Sequence, residues 1–345
     1  MTERFTPTVG LLHLRGESQQ SFHKKAAQAA EARFGRKVFV RAVVEISNFC
    51  RENCAYCGMR RDNRNLSRFR ARHDDLAELL IHHRPPIVTD INIQAGEDPL
   101  AVREVALPLI RTLRRETSLG ISVCLGTLNA ELYSELQAAG ATIYILKFEI
   151  AQPQLYREFK APGTFEQRIA HIRLLADSGW FVSSGFIAGL QGQSDADLLA
   201  NLELARELPL SGCSVSPFIP GEETPLAKHP MANIDGTLNC MAALRLMRPD
   251  WVIPSVSALN LAEPSGGYRR GLRTGANLVT INMTPPDIRG NYLLYKRDRF
   301  IMTEERILAD VNAEGLKTSE QSLAEYWKIK RGNAKLAMAK TEPVQ

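Results

Sequence analysis

Eight short apolar segments alternate with amphipathic segments along most of this chain, and this alternation restricts the possible folds more than any other feature. The eight are KVFVRAVVEIS, IVTDINIQAG, GISVCLG, TIYILKFEI, WFVSSGFIAG, GCSVSPFIP, WVIPSVSAL and ANLVTINMTP. Apolar runs of this length that are rich in β-branched and aromatic residues predict strands. Because eight such strands alternate with helical patterns, we predict an α/β protein, a (β/α)8 barrel of the TIM type.

The intervening segments predict helices, because they carry apolar residues at helical spacing or end on a glycine suited to a helix C-terminus. They are HDDLAELLIHH, AVREVALPLIRTLRRE, NAELYSELQAAG, TFEQRIAHIRLLADSG, DADLLANLELAREL, DGTLNCMAALRLM and GGYRRGLRTG. We divide the chain into a helical lead-in (residues 1–37), a barrel (38–304) and a charged tail, helical or flexible (305–345), that ends in a loose AKTEPVQ. A second globular domain is not required.

Composition narrows the cellular setting and the possible partners. Of the 345 residues, 44% are hydrophobic and 23% are charged, as in ordinary globular proteins. No apolar run approaches the roughly 18 residues of a membrane span, and the N-terminus lacks the pattern of a secretory signal. The formal net charge of +5 is small for this length. We therefore expect a cytoplasmic protein that binds neither membranes nor nucleic acid.

Three of the six cysteines lie directly after the first predicted strand, in FCRENCAYCGMRRDNRN. Cys50, Cys54 and Cys57 are spaced C-x3-C-x2-C, and without an export signal such a cluster indicates metal binding or catalysis over disulfides. A closed zinc site normally takes four protein ligands, and no neighbouring Cys-x2-Cys or histidine pair supplies the fourth. An iron–sulfur cluster fits better, and a cubane held by three cysteines leaves one iron free to bind another molecule.

The segment CRENCAYC resembles the cysteine motif of the radical S-adenosylmethionine superfamily. The resemblance implies that Cys50, Cys54 and Cys57 hold a [4Fe–4S] cluster whose fourth iron binds S-adenosylmethionine. An electron would cleave the sulfonium to methionine and a 5'-deoxyadenosyl radical, which acts on a small molecule or a metal-complex precursor in the barrel mouth. The protein would orient the radical and exclude water and oxidants.

Further motifs are similar to a subgroup that contains biotin synthase, methylornithine synthase and the iron–iron hydrogenase maturase, and the maturase pattern fits best. The motifs are EISNFCRENCAYCGMRRDNRNLSRFR, QAGEDP, FEIAQPQLYREFK, TFEQRIAHI, GFIAGLQGQS, SPFIPGEETPLA and RTGANLVTINMTP. The resemblance assigns six residues to S-adenosylmethionine: Tyr56, Gly96, Glu97, Glu149, Arg168 and Gly189. It implies that Gly96 and Glu97 contact its amino group and that Arg168 clamps its carboxylate. Taken alone, QAGEDP is a turn and Arg168 a surface arginine.

Candidate substrate residues follow the later strands: Lys147, Ser255, Ser257, Thr284, Arg289 and Tyr292. Each could equally be an ordinary capping or loop residue. The segment KFEIA departs from the maturase pattern at Lys147, Phe148 and Ile150, so an anionic metal-cyanide precursor would be held differently. Because no cysteine follows Cys240, sulfur insertion is disfavoured, and a mutase or lyase similar to methylornithine synthase competes with the maturase.

Three further hypotheses stay open. The basic run after Cys57 predicts a solvated surface, or alternatively a docking face for an acidic electron donor such as flavodoxin or ferredoxin. It comprises Arg60, Arg61, Arg64, Arg68, Arg70 and Arg72. The cysteines together with His73 or His82 could instead form a structural zinc scaffold, and a redox carrier would hold a cluster without turnover. The remaining cysteines are interpreted as small buried hydrophobic residues: Cys124, Cys213 and Cys240.

Overall fold

The computed structural model describes residues 5–297 and 301–339, with side chains as far as residue 332. Seven strands form one sheet: β1 (Lys37–Ser47), β2 (Asp90–Ala95), β3 (Gly120–Cys124), β4 (Ile143–Ile145), β5 (Phe181–Ala188), β6 (Gly212–Pro217) and β7 (Leu278–Asn282). Their order is β6-β5-β4-β3-β2-β1-β7, and every neighbouring pair is parallel. A short strand, β8 (Lys317–Thr318), also pairs with the start of β1. The predicted α/β barrel architecture is confirmed.

One predicted strand is wrong. The segment WVIPSVSAL forms only two isolated bridges, Gly212 to Val252 and Pro254 to Leu278, which link the outer strands β6 and β7. Proline has no N–H to donate to a ladder, so Pro254 prevents regular pairing. Arg245 holds the segment instead, because its buried guanidinium donates to the carbonyl of Trp251 at 2.7 Å and to that of Gly275 at 3.0 Å. The ring is thus closed by single bridges.

Helices form in all seven segments predicted to be helical and in the lead-in. They are α1 (Val9–Leu12), α2 (Gly16–Phe34), α3 (His73–His82), α4 (Pro99–Ala101), α5 (Leu107–Glu116), α6 (Ala130–Ala139), α7 (Pro153–Glu158), α8 (Phe165–Asp177), α9 (Asp195–Glu207), α10 (Ile234–Met247), α11 (Ala258–Ala262), α12 (Gly267–Arg273), α13 (Pro286–Arg289), α14 (Glu304–Ala313) and α15 (Leu323–Ala339). A π-helical turn, Val102–Ala106, joins α4 to α5. No helix in the described part of the chain is both long and apolar enough to cross a membrane.

Side-chain caps fix where several of these helices begin. Asn129 accepts a hydrogen bond from the N–H of Leu132 at the start of α6, and Thr164 accepts one from the N–H of Gln167 at the start of α8. Ser194 and Asp197 form a capping box on α9. Each cap satisfies an N–H that the first helical turn cannot bond internally. These helices therefore begin directly after the loops at the carboxyl ends of the strands.

The first residues of α15 close the end of the barrel opposite these loops. Leu323 and Trp327 are buried there with Phe39 of β1 and Phe181 of β5, and Trp327 stacks on Phe181. Asp90 accepts the Leu323 N–H at 2.9 and 3.1 Å, which caps α15. We call this apolar end the floor and the opposite end the rim. The loose end predicted for the tail lies, from residue 340, outside the described residues.

Candidate active site

One cavity at the rim, of about 200 Å³, collects most of the predicted site residues. We call it the rim cavity. Its lining includes Cys50, Cys54, Tyr56, Cys57, Gly96, Glu97, Lys147, Glu149, Arg168 and Tyr292. These residues come from the loops after β1, β2 and β4, from α8 and from the segment after β7. Parallel strands bring their carboxyl ends to one side of a barrel, which is why distant segments meet here.

The cysteine loop is held by two residues that sequence analysis did not assign to the site. The Asn48 amide donates to the carbonyls of Ser67 and Asn291, at 2.8 and 2.7 Å. Arg68 donates to four backbone carbonyls, those of Asn48, Met59, Arg60 and Asn63. Backbone carbonyls must be satisfied when they turn away from water, so one guanidinium can fix the course of a loop that has no regular structure. The Arg68 charge also lowers the pKa of Cys57 slightly, against the effect of burial.

The environment of the three thiols favours coordination to a metal cluster over contact with water. Burial raises the pKa of all three, to about 12 for Cys57, and the charges of neighbouring thiols add to the shift for Cys54 and Cys57. Coordination to a cationic metal centre deprotonates such thiols. The Tyr56 hydroxyl is buried on the same cavity wall, and no described residue forms a hydrogen bond with it. The donor set and this unsatisfied hydroxyl are consistent with a bound group.

A single metal ion would need a different arrangement. In the described part of the chain, no three or more Cys, His, Asp or Glu side chains are grouped to hold one ion. Each thiolate of a [4Fe–4S] cluster binds a different iron, so cluster ligands are spread more widely than those of one zinc ion. His73 and His82 pair with Asp74 and Glu78 on α3 and do not line the rim cavity. The structure therefore gives no support to the zinc hypothesis.

The QAGEDP segment packs tightly against the cysteine loop. A Cβ on Gly96 would lie 2.2 Å from the carbonyl oxygen of Phe49 and 2.8 Å from the Cβ of Cys50, so only glycine fits there. The N–H of Glu97 points at the Cys50 sulfur at 3.4 Å. Asp98 accepts two hydrogen bonds from Arg70, at 2.7 and 3.1 Å. The segment is thus a fixed part of the site wall and not a free turn.

Glu97 and Arg168 form a buried ion pair across the rim cavity. Arg168 Nη1 lies 2.9 Å from Glu97 Oε1 and also donates to Thr127 Oγ1 at 2.7 Å. Arg51 approaches the other carboxylate oxygen at 3.3 Å. Burial lowers the pKa of Arg168, but Glu97, Tyr156 and Glu149 together raise it by more, so the net shift is upward. The surface interpretation of Arg168 is therefore excluded, since its side chain is 6% exposed.

Glu149 has an unusual backbone conformation, which the sequence around it did not predict. Its φ of 61° lies in the left-handed region, which non-glycine residues seldom adopt. Hydrogen bonds hold it there, from its N–H to Gly185 and from the Ile187 N–H to its carbonyl, both at 3.0 Å. The side chain lines the rim cavity, where its charge raises the pKa values of Cys54 and Lys147. Strain held in this way is commonest at functional positions.

The remaining candidates are dispersed. Lys147 lines the rim cavity, whereas Phe148 and Ile150 are buried in two apolar clusters. Of the three positions at which KFEIA departs from the maturase pattern, Lys147 is therefore the one whose side chain lines the cavity. Gly189, at φ 88°, forms a turn packed on Ala232 and is not among the cavity-lining residues.

Four later residues also differ in position. Ser255 and Ser257 line a deeper chamber under the rim cavity, and the Ser255 hydroxyl donates to the Tyr268 carbonyl at 2.8 Å. Thr284 is buried and accepts the Glu45 N–H at 3.0 Å. Thr284 and Arg289 line a separate groove that Asp75 and Glu78 of α3 also border. Thr284 and Arg289 are therefore not brought to either inner cavity.

The basic run divides into internal and external arginines. Arg68 and Arg70 are tied to backbone carbonyls and to Asp98, and the Arg60 side chain is 16% exposed, so the prediction of one solvated face is wrong for these three. Arg61 and Arg72 have side chains that are 62% and 77% exposed, and Arg64 is exposed as well. Only the exposed arginines are accessible to another protein.

Comparison with known proteins identifies the family. Residues 44–205 match the model of the Radical SAM superfamily. The [FeFe] hydrogenase maturase subunit HydE of Thermotoga maritima is 34% identical over 281 residues, 81% of this chain and 80% of that protein. The chain belongs to the radical SAM superfamily. Membership of this superfamily implies a [4Fe–4S] cluster and S-adenosylmethionine in general terms.

One further relative and one solved structure match this radical SAM protein over most of its length. 3-Methylornithine synthase of Methanosarcina barkeri is 25% identical over 314 residues, 89% of this chain and 87% of that protein. The crystal structure of methylornithine synthase (PylB) superposes with a TM-score of 0.80 over 92% of this chain and 95% of that chain. The sequence identity in that superposition is 22%, so it shows the shared fold alone.

Proposed function

We propose that this enzyme reductively cleaves S-adenosylmethionine at a [4Fe–4S] cluster held by Cys50, Cys54 and Cys57, and acts on a small molecule or metal-complex precursor inside the barrel. One observation carries the proposal: the three thiols line the same cavity as the buried Glu97–Arg168 pair. A cluster site and a polar anchor for an amino acid headgroup are thereby neighbours.

When bound, the cluster supplies the electron that splits the sulfonium into methionine and a 5'-deoxyadenosyl radical. The chain's own contribution is to position and shield. Arg68 and Asn48 keep the thiols on a fixed loop, and Gly96 lets the QAGEDP backbone approach that loop. Ile187 and Phe218 on the cavity wall exclude water from the reacting atoms.

Charge placement supports the assigned binding roles. We assign Glu97 and Glu149 to the cationic amine and the ribose of S-adenosylmethionine, and Arg168 to its carboxylate. Arg168 keeps a fixed orientation because Glu97, Thr127 and the Lys147 carbonyl accept its hydrogen bonds. A guanidinium already fixed by the protein loses little conformational entropy when it binds a carboxylate.

For the substrate, we propose a chemical class and not a particular molecule. Similarity to HydE favours maturase-like action on a metal-complex precursor. A mutase or lyase similar to methylornithine synthase is the second candidate, because the lining of the barrel interior combines apolar side chains with neutral polar ones, which suits an organic molecule. Lys147 contacts both inner cavities and is the side chain that either substrate would meet first.

We further propose that an acidic flavodoxin or ferredoxin docks on the exposed arginines beside the cysteine loop. Arg61 and Arg64 belong to the same loop segment as the thiols, so a donor bound there would approach the cluster directly. Complementary charge mainly increases the rate at which partners meet.

Replacement of Cys54 by serine tests the proposed cleavage. The Cys54→Ser variant should lose most of its cluster iron after anaerobic reconstitution, and 5'-deoxyadenosine formation with dithionite should fall by roughly a thousandfold or more because a ligand is lost. Iron and sulfide analysis and chromatography of the nucleoside measure the two effects. Cys213→Ala is the matched control, since Cys213 is buried on β6 away from the rim cavity. Full iron content in Cys54→Ser would contradict the proposal.

A further inference from the structure

Below the rim cavity lies a second chamber of about 200 Å³, which we call the floor chamber. Gln94, Cys124, Lys147, Ser216 and Tyr295 line both spaces, so the two are continuous. A barrel of this type usually fills its interior with layers of apolar side chains. Here the neutral polar lining includes Asn92, Ser183, Ser214, Thr280 and Asn282. An interior with this many hydrogen-bonding groups is suited to a ligand.

Arg41 is the cation at the bottom of this chamber. The alternation of β1 directs Arg41, Val43 and Glu45 into the barrel, and all three line the chamber. The Arg41 guanidinium donates to Thr280 Oγ1 at 3.3 Å, and its buried Nε has no hydrogen-bond partner among the residues that the structure describes. Arg41 makes no ion pair with any described residue. A buried cation without a partner is costly, which indicates that a ligand completes the site.

The nearest carboxylates do not neutralise Arg41. Asp90 is paired with Arg41 in the register of β1 and β2, but its oxygens accept hydrogen bonds from Leu323 N and Thr89 Oγ1. Glu45 lies four residues further along the same strand, so the two Cα atoms are about 13 Å apart. Burial lowers the pKa of Arg41, whereas the charge of Asp90 raises it.

The strand register sets the depth of this cation below the rim. In the register of the sheet, Ile143 of β4 is level with Ser122 of β3, Asn92 of β2 and Val43 of β1. Arg41 lies two residues before Val43. Lys147 lies four residues above Ile143. Six residues of extended chain, the last two of them beyond the end of β4, separate the two Cα positions by about 20 Å along the strand direction. A ligand that reaches Arg41 while its other end lies under the S-adenosylmethionine site must therefore be elongated.

We propose that Arg41 anchors the carboxylate of an elongated small-molecule substrate whose opposite end lies at the rim cavity. This inference rests on the proposed function for the identity of the reacting end. A guanidinium binds a carboxylate through two parallel hydrogen bonds, and the Nε and Nη atoms of Arg41 provide that geometry. The neutral amides and hydroxyls between floor and rim then contact the middle of the molecule, and Leu323 and Trp327 close the space below.

Titration calorimetry with octanoate, butyrate and inorganic phosphate tests the site on cluster-loaded protein with S-adenosylmethionine. Octanoate should bind more tightly than butyrate, because it can extend from Arg41 along the chamber. The Arg41→Gln variant should bind octanoate at least tenfold more weakly, since a desolvated Arg–carboxylate pair is lost. Arg36→Gln, an exposed arginine just before β1, is the matched control and should bind octanoate like the wild type.

Equal octanoate affinity in Arg41→Gln and Arg36→Gln would overturn the proposal, as would binding of phosphate without carboxylates or no carboxylate binding at all. If Arg41→Gln does not fold, Arg41→Lys keeps the charge without the fork and should bind octanoate with intermediate affinity. Carboxylate binding needs no electron and no sulfonium cleavage. A failed titration therefore leaves 5'-deoxyadenosine formation by the wild type measurable, and a failed cleavage assay leaves the titration measurable.

Discussion

The rim and the floor of this barrel differ in how their buried charged side chains are paired. At the rim, Glu97 pairs with Arg168, and Asp98 with Arg70, so these two buried carboxylates are neutralised by cations from other segments of the chain. At the floor, Arg41 makes no ion pair with a described residue and is supported by one hydroxyl. Paired charges produce a rigid wall that keeps its shape before a ligand enters. An unpaired charge can form its ion pair with the ligand itself.

This difference separates two tasks in one cavity system. In the function that we propose, the rim holds S-adenosylmethionine in every turnover, and a preorganised network reduces the entropy lost on binding. In the same proposal the floor selects the substrate, because a cation that only an anionic end can satisfy rejects neutral molecules. The continuous lining between them, with Lys147 at the junction, allows one molecule to meet both regions.

Removing one partner of the rim pair should have the largest effect on this comparison. Glu97→Gln leaves Arg168 buried without its carboxylate, so the free energy of unfolding should fall by about 3–5 kcal/mol. S-adenosylmethionine affinity should fall as well. Chemical denaturation and equilibrium dialysis measure the two. In the double variant Glu97→Gln, Arg168→Gln, stability should partly recover while cofactor binding does not, and full additivity of the two single changes would contradict a coupled pair.

At the floor, pH should act through Asp90. Burial raises the pKa of Asp90 from 3.8 to about 6, in spite of the hydrogen bond from Leu323 N. Because the pKa of Asp90 is raised in the folded state, its contribution to the free energy of unfolding is fully present below pH 4 and is lost as the pH rises towards 6. The loss amounts to about 3 kcal/mol. Asp90→Asn keeps an acceptor for the Leu323 N–H and should flatten the profile between pH 4 and 7, as measured by guanidinium unfolding.

The exposed arginines should give the smallest effect. Reversal of Arg61, Arg64 and Arg72 to glutamate should slow cluster reduction by flavodoxin up to about tenfold at low salt, because encounter rates depend on complementary charge. Reduction by dithionite should not change. Stopped-flow absorbance of the cluster compares the two reductants. Equal slowing with both would show that the substitutions disturb the cluster and not a docking surface.

Local patterns were sufficient for much of the architecture. The apolar, β-branched run KVFVRAVVEIS predicted β1, and helical spacing of apolar residues together with terminal glycines predicted the helices around the barrel. WVIPSVSAL shows the limit, because its apolar pattern resembles a strand while Pro254 and the Arg245 hydrogen bonds allow only single bridges. Apolar content predicts burial, but ladder pairing also depends on every N–H being available.

The site was predictable in part. Its cysteine spacing lies within eight residues, so the sequence displays it directly. Arg41 and Glu45 also left a signal, since charged residues at alternating positions of an apolar strand point to one face, but sequence analysis assigned them no role. Arg68 gave none, because an arginine that binds four carbonyls has the same local pattern as a solvated one.

By itself, the sequence determined the order of strands and helices, the cysteine motif and the family to which the chain belongs, because these depend on residues that are close together along the chain. The tertiary structure alone decided which charges are neutralised. Glu97 and Arg168 are 71 residues apart and meet only when the barrel closes, whereas the same closure encloses Arg41 without an ion pair to any described carboxylate. Electrostatic partnership depends on distances across space, which spacing along the chain does not record.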